Sequence, residues 1–328
     1  MNIRTVKQDA AGAMAVAREP RKVILVYAGV MTLLSLALTV VNVWLDEQIS
    51  NTGGLANLGL QTVLSTVQMV LPLAQTIVLL CLELGYLSAA MRFARKQYAD
   101  HTDLMTGFHR FGPLIRLVLI QGAIYLGLFF VSSWLGTQIF LMTPYAEPLL
   151  LAMEPMMNSS ILSGGDVVMD EATLAAMSDA MVPMMVFVLA VFAVLAIPVA
   201  FRYRMANYRL LDKPREGAFA ALRNSRAMMR GNALNLLKLD LSFWWYYLLT
   251  ALAGVICYGD QLLPLLGVEL PIPPMVSYFL FYGLYLVAQF AIYYFFRNPL
   301  EVTYVMAYES IRPEEKEDGV ILGNIFTM

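Results

Sequence analysis

All 22 lysines and arginines of this 328-residue chain fall in alternate gaps between long apolar runs, or just inside the end of a run. Six runs read as spans, at about residues 23–45, 63–91, 114–142, 182–201, 233–258 and 275–296. Each reaches the ~20 residues needed to cross a hydrocarbon core of ~30 Å. Basic residues crowd before the first run, after the second, after the fourth and at the end of the sixth, and Lys238 sits just inside the fifth. The other gaps carry acids, among them Asp46, Glu47, Glu147, Asp179, Asp260 and Glu269. The chain is 59% hydrophobic and 14% charged, whereas a soluble domain carries about a quarter charged residues. The expected fold is all-α: a polytopic membrane protein of six transmembrane helices, with interfacial amphipathic helices on the basic side. The bias of lysine and arginine places that side, and both termini, in the cytoplasm.

Three regions follow. Residues 1–22 surround AAGAMAVA with Arg4, Lys7, Arg18, Arg21 and Lys22, the pattern of an amphipathic helix lying on a membrane. Residues 23–297 hold the six spans, with a kink expected at Pro72. Residues 298–328 read as a cytoplasmic tail, helical through VTYVMAYESI and then acidic from Glu314. In the long acidic gap, DEATLAAMSDA suggests a short helix capped by Asp170. Met153, Met156, Met157, Met169 and Met177 make this gap rich in thioethers; filling irregular contacts is the ordinary use of such residues, and Cu(I) binding the rarer one.

The stretch LDKPREGAFAALRNSRAMMRGNALNLLKLDLSFWWYY leads into the fifth span. Wound as a helix, it puts Arg223, Arg226 and Arg230 on one stripe, beside a mostly apolar stripe of Ala218, Leu222, Ser225 and Met229. Such a helix can bury one side in a membrane surface while its arginines reach lipid phosphates. Anionic headgroups, or an unidentified partner protein, are the expected contacts.

Ionisable groups inside spans are costly and therefore informative. Glu83, Lys238 and Asp240 occupy such positions, and each span also shows a polar face. Gln75 shares one with Glu83, and Tyr282, Tyr285 and Gln289 run down the sixth span at helical spacing. Two readings stand. The residues glue helices together by hydrogen bonds, or they line a path for a solute or proton through Glu83 and Asp240. Matching depths suggest that Lys238 or Arg116 neutralises Glu83.

Several classes are disfavoured. A net charge of -2 argues against nucleic-acid binding. Cys81 and Cys257 lie in apolar runs and form no framework; His101 and His109 are too few for a metal centre. No nucleotide-binding or hydrolase motif is present, so neither enzymatic activity nor a cofactor is expected.

Scattered motifs carry a resemblance. They are NIRTVKQDAAGAM, DLMTGFHRFG, IPVAFRYRMANYRLLDKP, GAFAALRNSRAMMRGN followed by LDLSF, and the closing VTYVMAYESI. Together these resemble the bacterial integral membrane proteins grouped as domain of unknown function 975. The chain departs from the family pattern at Val199, Trp245, Tyr246 and Leu300. The resemblance implies a bacterial cytoplasmic membrane location and supplies no activity or catalytic residue.

Overall fold

A computed structural model describes residues 2–52, 57–147, 149–151, 171–265, 267–268 and 271–312. The methionines at 153, 156, 157 and 169, the Asp170 cap and the acidic end beyond Arg312 lie outside these residues. The described residues are mostly helical, with no strand among them. The long helices are α2 (Pro20–Asn51), α3 (Leu58–Ala94), α5 (Phe111–Leu141) and α6 (Glu171–Tyr203). Shorter elements are α1 (Ile3–Val16), α4 (Thr106–His109), α7 (Ala206–Asp212), α8 (Ala218–Met229), α9 (Ala233–Leu241), α10 (Trp244–Cys257) and α11 (Gly259–Leu265). The chain closes with α12 (Pro274–Ile292), a π-helical turn at Tyr293–Arg297, and α13 (Asn298–Ile311). Five helices are long and apolar enough to cross a membrane, or six if the bent pair α9–α10 counts as one span. This is a polytopic all-α membrane protein. α3 continues through Pro72, where the Thr76 hydroxyl donates to the Pro72 carbonyl at 2.8 Å.

The fifth span is not the single rod expected. α9 and α10 meet at 62°. The reason lies at residues 240–243. The Ser242 hydroxyl donates to the Leu239 carbonyl, and the Phe243 amide reaches back only to Asp240, a tightened turn that ends the α ladder. From α1, Lys7 stands 4.3 Å over the Phe243 ring and reaches the freed Ser242 carbonyl at 3.5 Å. Gly231, at φ +85, makes the preceding turn between α8 and α9; a side chain there would be strained.

The contact clusters define two compact units, residues 1–114 with 205–328, and residues 115–204. In the first, the last described helix is the core. α13 buries Leu300, Val302, Thr303, Tyr304, Val305 and Tyr308, and packs against α1 and α3. A segment read from sequence as a tail is thus a largely buried helix. The apolar continuation from Pro274 to Ile311 explains this: 38 residues rise about 57 Å, nearly twice a bilayer core, so its final turns have protein rather than lipid for company.

The two amphipathic helices find their partners the same way. α1 buries Val6, Ala10 and Ala13, at spacings of four and three, as it lies along α13. α8 buries Ala218, Leu222, Ser225 and Met229, its expected apolar stripe, and packs with α7. The Ser225 hydroxyl accepts the Met205 amide at 3.2 Å. These faces were expected in lipid; protein covers them instead.

Two glycines set the tightest approach in this unit. A Cβ on Gly85 would lie 2.0 Å from the Leu104 carbonyl oxygen, and one on Gly107 would lie 1.8 Å from that of Cys81. The segment 101–109 therefore docks backbone to backbone on α3, each strip supplying a glycine opposite the other's main chain. Arg92 and Asp103 pair across the same junction at 3.0 Å. The second unit uses the same device. Gly136 of α5 faces the Val188 backbone of α6, where a Cβ would stand 2.6 Å from the Val188 Cα, and Phe129 and Phe140 meet Phe192 and Phe187 around it.

Substitution should expose this difference in sign. Gly107→Ala and Gly85→Ala force backbone apart and are expected to cost about 1–3 kcal/mol or more. Gly12→Ala and Gly29→Ala, in helices with nothing within 4 Å, should stabilise by up to about 1 kcal/mol. Thermal unfolding in detergent checks both pairs.

Candidate functional site

α13 and the turn before it carry a polar stripe at residues 297, 301, 304 and 308, spaced as one face of a helix. Every member meets another helix. Arg297 pairs with Glu83 of α3, and the Tyr27 hydroxyl of α2 donates to the same carboxylate. Glu301 lies 3.7 Å from Arg297 and accepts from Tyr208 of α7 at 2.7 Å. Tyr304 donates to Asp240 of α9 at 2.6 Å and stands 2.7 Å from the Tyr247 hydroxyl of α10. Tyr308 donates to Asp212 of α7 at 2.9 Å. Beside the stripe, Asn298 accepts from Tyr86 at 2.6 Å and donates to the Pro20 carbonyl at 2.9 Å. α2, α3, α7, α9 and α10 are thereby all tied to α13.

Local structure places the central cation. Five residues, Tyr293–Arg297, wind as a π turn before α13 resumes. Such turns shift the register of the helix beyond them and recur at functional positions. Here Arg297 is turned onto Glu83, between the rings of Tyr86 and Tyr293 at 5.9 and 5.7 Å. Tyr27 stacks on Tyr86 at 4.5 Å and is fully buried. The wall is aromatic, so the ion pair works in low dielectric. The enclosure is one-sided: the Arg297 side chain is 17% exposed, that of Glu83 41%.

At the far end of α13, Arg95 bridges Asp212 and Glu309, and Arg312 meets Glu309 at 2.7 Å. Burial alone would lower the Arg95 pKa, but the two carboxylates outweigh it and push it up. Arg209, 5% exposed, is held by Glu216, which also accepts from Asn224 at 3.0 Å. Arg110 donates to the Leu210 and Leu211 carbonyls.

The sequence-selected residues separate into three groups. Glu83 and Asp240 do sit at polar junctions. However, the partner of Glu83 is Arg297, not Lys238 or Arg116, because the π turn carries Arg297 onto α3. Tyr282 donates to the Ser35 carbonyl of α2 at 3.3 Å, and Tyr285 and Gln75 are half-buried. Gln289 is half-buried too, and its Oε1 is enclosed without a protein donor. Arg223, Arg226, Arg230 and Lys238 form the third group. All four are exposed, and none pairs with a carboxylate among the described residues. Phe219, 76% exposed, shares the arginines' face on α8; Leu234, Leu241 and Trp244 are exposed on α9 and at the start of α10.

Arg297, Tyr27, Asn298, Glu301, Tyr304 and Tyr308 escaped the sequence reading, which placed Tyr86 only on the polar side that Glu83 shares. One signal was available. Polar residues at steps of four, three and four, inside a helix that stays apolar past Pro299, mark a buried polar stripe rather than a tail.

A family model described as "Protein of unknown function (DUF975)" matches residues 18–315. Neither a curated protein nor a solved structure matches the chain.

A double-mutant cycle measures the central pair. Arg297→Gln leaves Glu83 without its cation and should cost about 3 kcal/mol, and Glu83→Gln somewhat less because that side is open. Combined, they should cost at least about 1 kcal/mol less than the sum, read from unfolding in detergent.

Proposed function

The chain belongs to this family of unknown function, DUF975, and on that footing we propose that it is a non-enzymatic integral membrane protein whose α8–α9 face binds anionic lipid. One observation carries the reading. The protein's cations fall into two populations. Arg95, Arg209 and Arg297 are committed to carboxylates inside the fold. Arg223, Arg226, Arg230 and Lys238 are exposed with no carboxylate partner among the described residues, on helices that also expose Phe219, Leu234 and Leu241. Uncommitted arginines beside exposed apolar side chains suit the headgroup layer, where the apolar groups dip below the phosphates and the guanidiniums meet them. The apolar stripe of α8 is already covered by protein, so the helix meets lipid with its charged side and not by immersion.

The same reading sets the protein in a bacterial cytoplasmic membrane, with both termini on the cytoplasmic side. α8 lies on the side to which all the basic gaps belong, and anionic lipid gives that leaflet its negative potential. The break between α9 and α10 supports it further. α10 alone rises about 21 Å, too little for a bilayer core, so α9 completes the crossing obliquely, with Lys238 within reach of the headgroups.

Purified full-length protein should gain thermal stability from added phosphatidylglycerol and not from phosphatidylcholine. Each basic residue near an anionic surface contributes about 1 kcal/mol. Arg223→Glu, Arg226→Glu and Arg230→Glu together should therefore weaken phosphatidylglycerol binding about a hundredfold at low salt, with the fold intact. High salt should do the same to the wild type. Equal response to both lipids, or unchanged binding by the triple variant, refutes the reading.

A further inference from the structure

Polar groups that neither the Arg297 cluster nor the cationic face uses are strung along one seam. On α2, Ser35, Asn42 and Asp46 share a side; on α12, Tyr278, Tyr282, Tyr285 and Gln289 share another. The helices pack together, antiparallel, and the Tyr282 hydroxyl meets the Ser35 carbonyl between them. α3 closes both ends: Gln68 donates to Asp46 at one, and Glu83 accepts from Tyr27 at the other. Tyr278 lies within electrostatic reach of Asp46 and of Asp260. Asp260 and Ser277 help line a cavity of about 400 Å³ whose other walls are apolar, Leu263 and Ile272 among them.

Three oxygens along this line, Asp260 Oδ1, Asn42 Oδ1 and Gln289 Oε1, are buried and receive no hydrogen bond from the described residues. One such group costs about 1–3 kcal/mol, and more where no bulk water relieves it. Packing glue does not account for them, since glue requires both partners. Acceptors in file, in a seam ending at a carboxylate whose side chain is 41% exposed, call for a mobile donor of water's size.

We infer that the seam between α2 and α12 is a hydrated proton-access path leading from the cavity beside Asp260 to Glu83. A hydronium arriving there gives its proton to a Glu83 carboxylate oxygen and departs as water. Arg297 keeps its charge and retains Glu301 as its carboxylate partner. The groups facing this exchange are Tyr27 from α2, Arg297 and Tyr293 from the π turn, Glu301 from α13, Tyr246 from α10, and Tyr86 on the same helix as Glu83. The path replaces the sequence-level one in a single respect. Asp240 is held by Tyr304 and takes no part. The inference is independent of lipid binding at α8.

Two measurements on the full chain in sealed, uniformly oriented proteoliposomes test it. In a Cys81→Ala, Cys257→Ala background, Ser35→Cys, Asn42→Cys and Gln289→Cys should react with a charged, water-soluble thiosulfonate added on the Asp46 side. Leu33→Cys and Val287→Cys, 66% and 69% exposed on the same helices, should stay inert because lipid covers them. Dicyclohexylcarbodiimide, which attacks protonated carboxyls in apolar surroundings, should label Glu83. The rate should rise as pH falls on the Asp46 side and should ignore pH on the other side. Glu83→Gln should abolish the labelled peptide. Gln289→Leu, which leaves the Arg297 pair untouched, should remove the response to pH. Seam cysteines no more reactive than the lipid-facing pair, absent labelling, or labelling governed from the opposite side each overturn the path.

Discussion

An arginine inside a hydrophobic bundle must be met by carboxylates or the bundle does not form. Arg297 imposes that condition here. Its pairing with Glu83, with Glu301 alongside, fixes α13 against α3. The remainder of the stripe then reaches α7, α9 and α10 through tyrosine hydroxyls. Tyrosine fits such a junction because the ring fills apolar space while the hydroxyl spans to a carboxylate, as Tyr304 does to Asp240. Without a hydrophobic drive between helices in lipid, such a network and the close contacts at Gly85, Gly107 and Gly136 are what hold the bundle together.

The same network decides where the amphipathic helices go. α1 and α8 carry apolar stripes of small residues, Ala10, Ala13, Ala218 and Ala221, that approach protein closely and would bury little area in lipid. α13 and α7 offer fitting surfaces, and the helices dock there with their charged sides outward. Arg223, Arg226 and Arg230 of α8 are left exposed by this docking. The exposed charge is what remains after the fold has used the rest.

Two regions of leftover polarity therefore have different meanings. The surface cations face outward and have no carboxylate partner among the described residues. The seam oxygens of Asn42 and Gln289 are unpaired although enclosed, which packing alone does not favour. Glue and path were posed as alternatives for the same residues, and the path proposed above uses only some of them. Asp240 is held by Tyr304, whereas Glu83 is paired with Arg297 and keeps a side chain 41% exposed.

The helical class and the presence of five or six helices fit to span a membrane were legible in the residue order, because lipid demands uninterrupted apolar length. The stripe of α8 was legible too, since a 3.6-residue period needs no knowledge of neighbours. What covered that stripe was not. Nor was the break at Ser242, which rests on one hydroxyl turning to its own backbone, or the partner of Glu83, which rests on a π turn that moves Arg297 around the helix. Periodicity tells which side of a helix is apolar or charged. Only the assembled chain, with residues more than two hundred positions apart brought into contact, settles what each side meets.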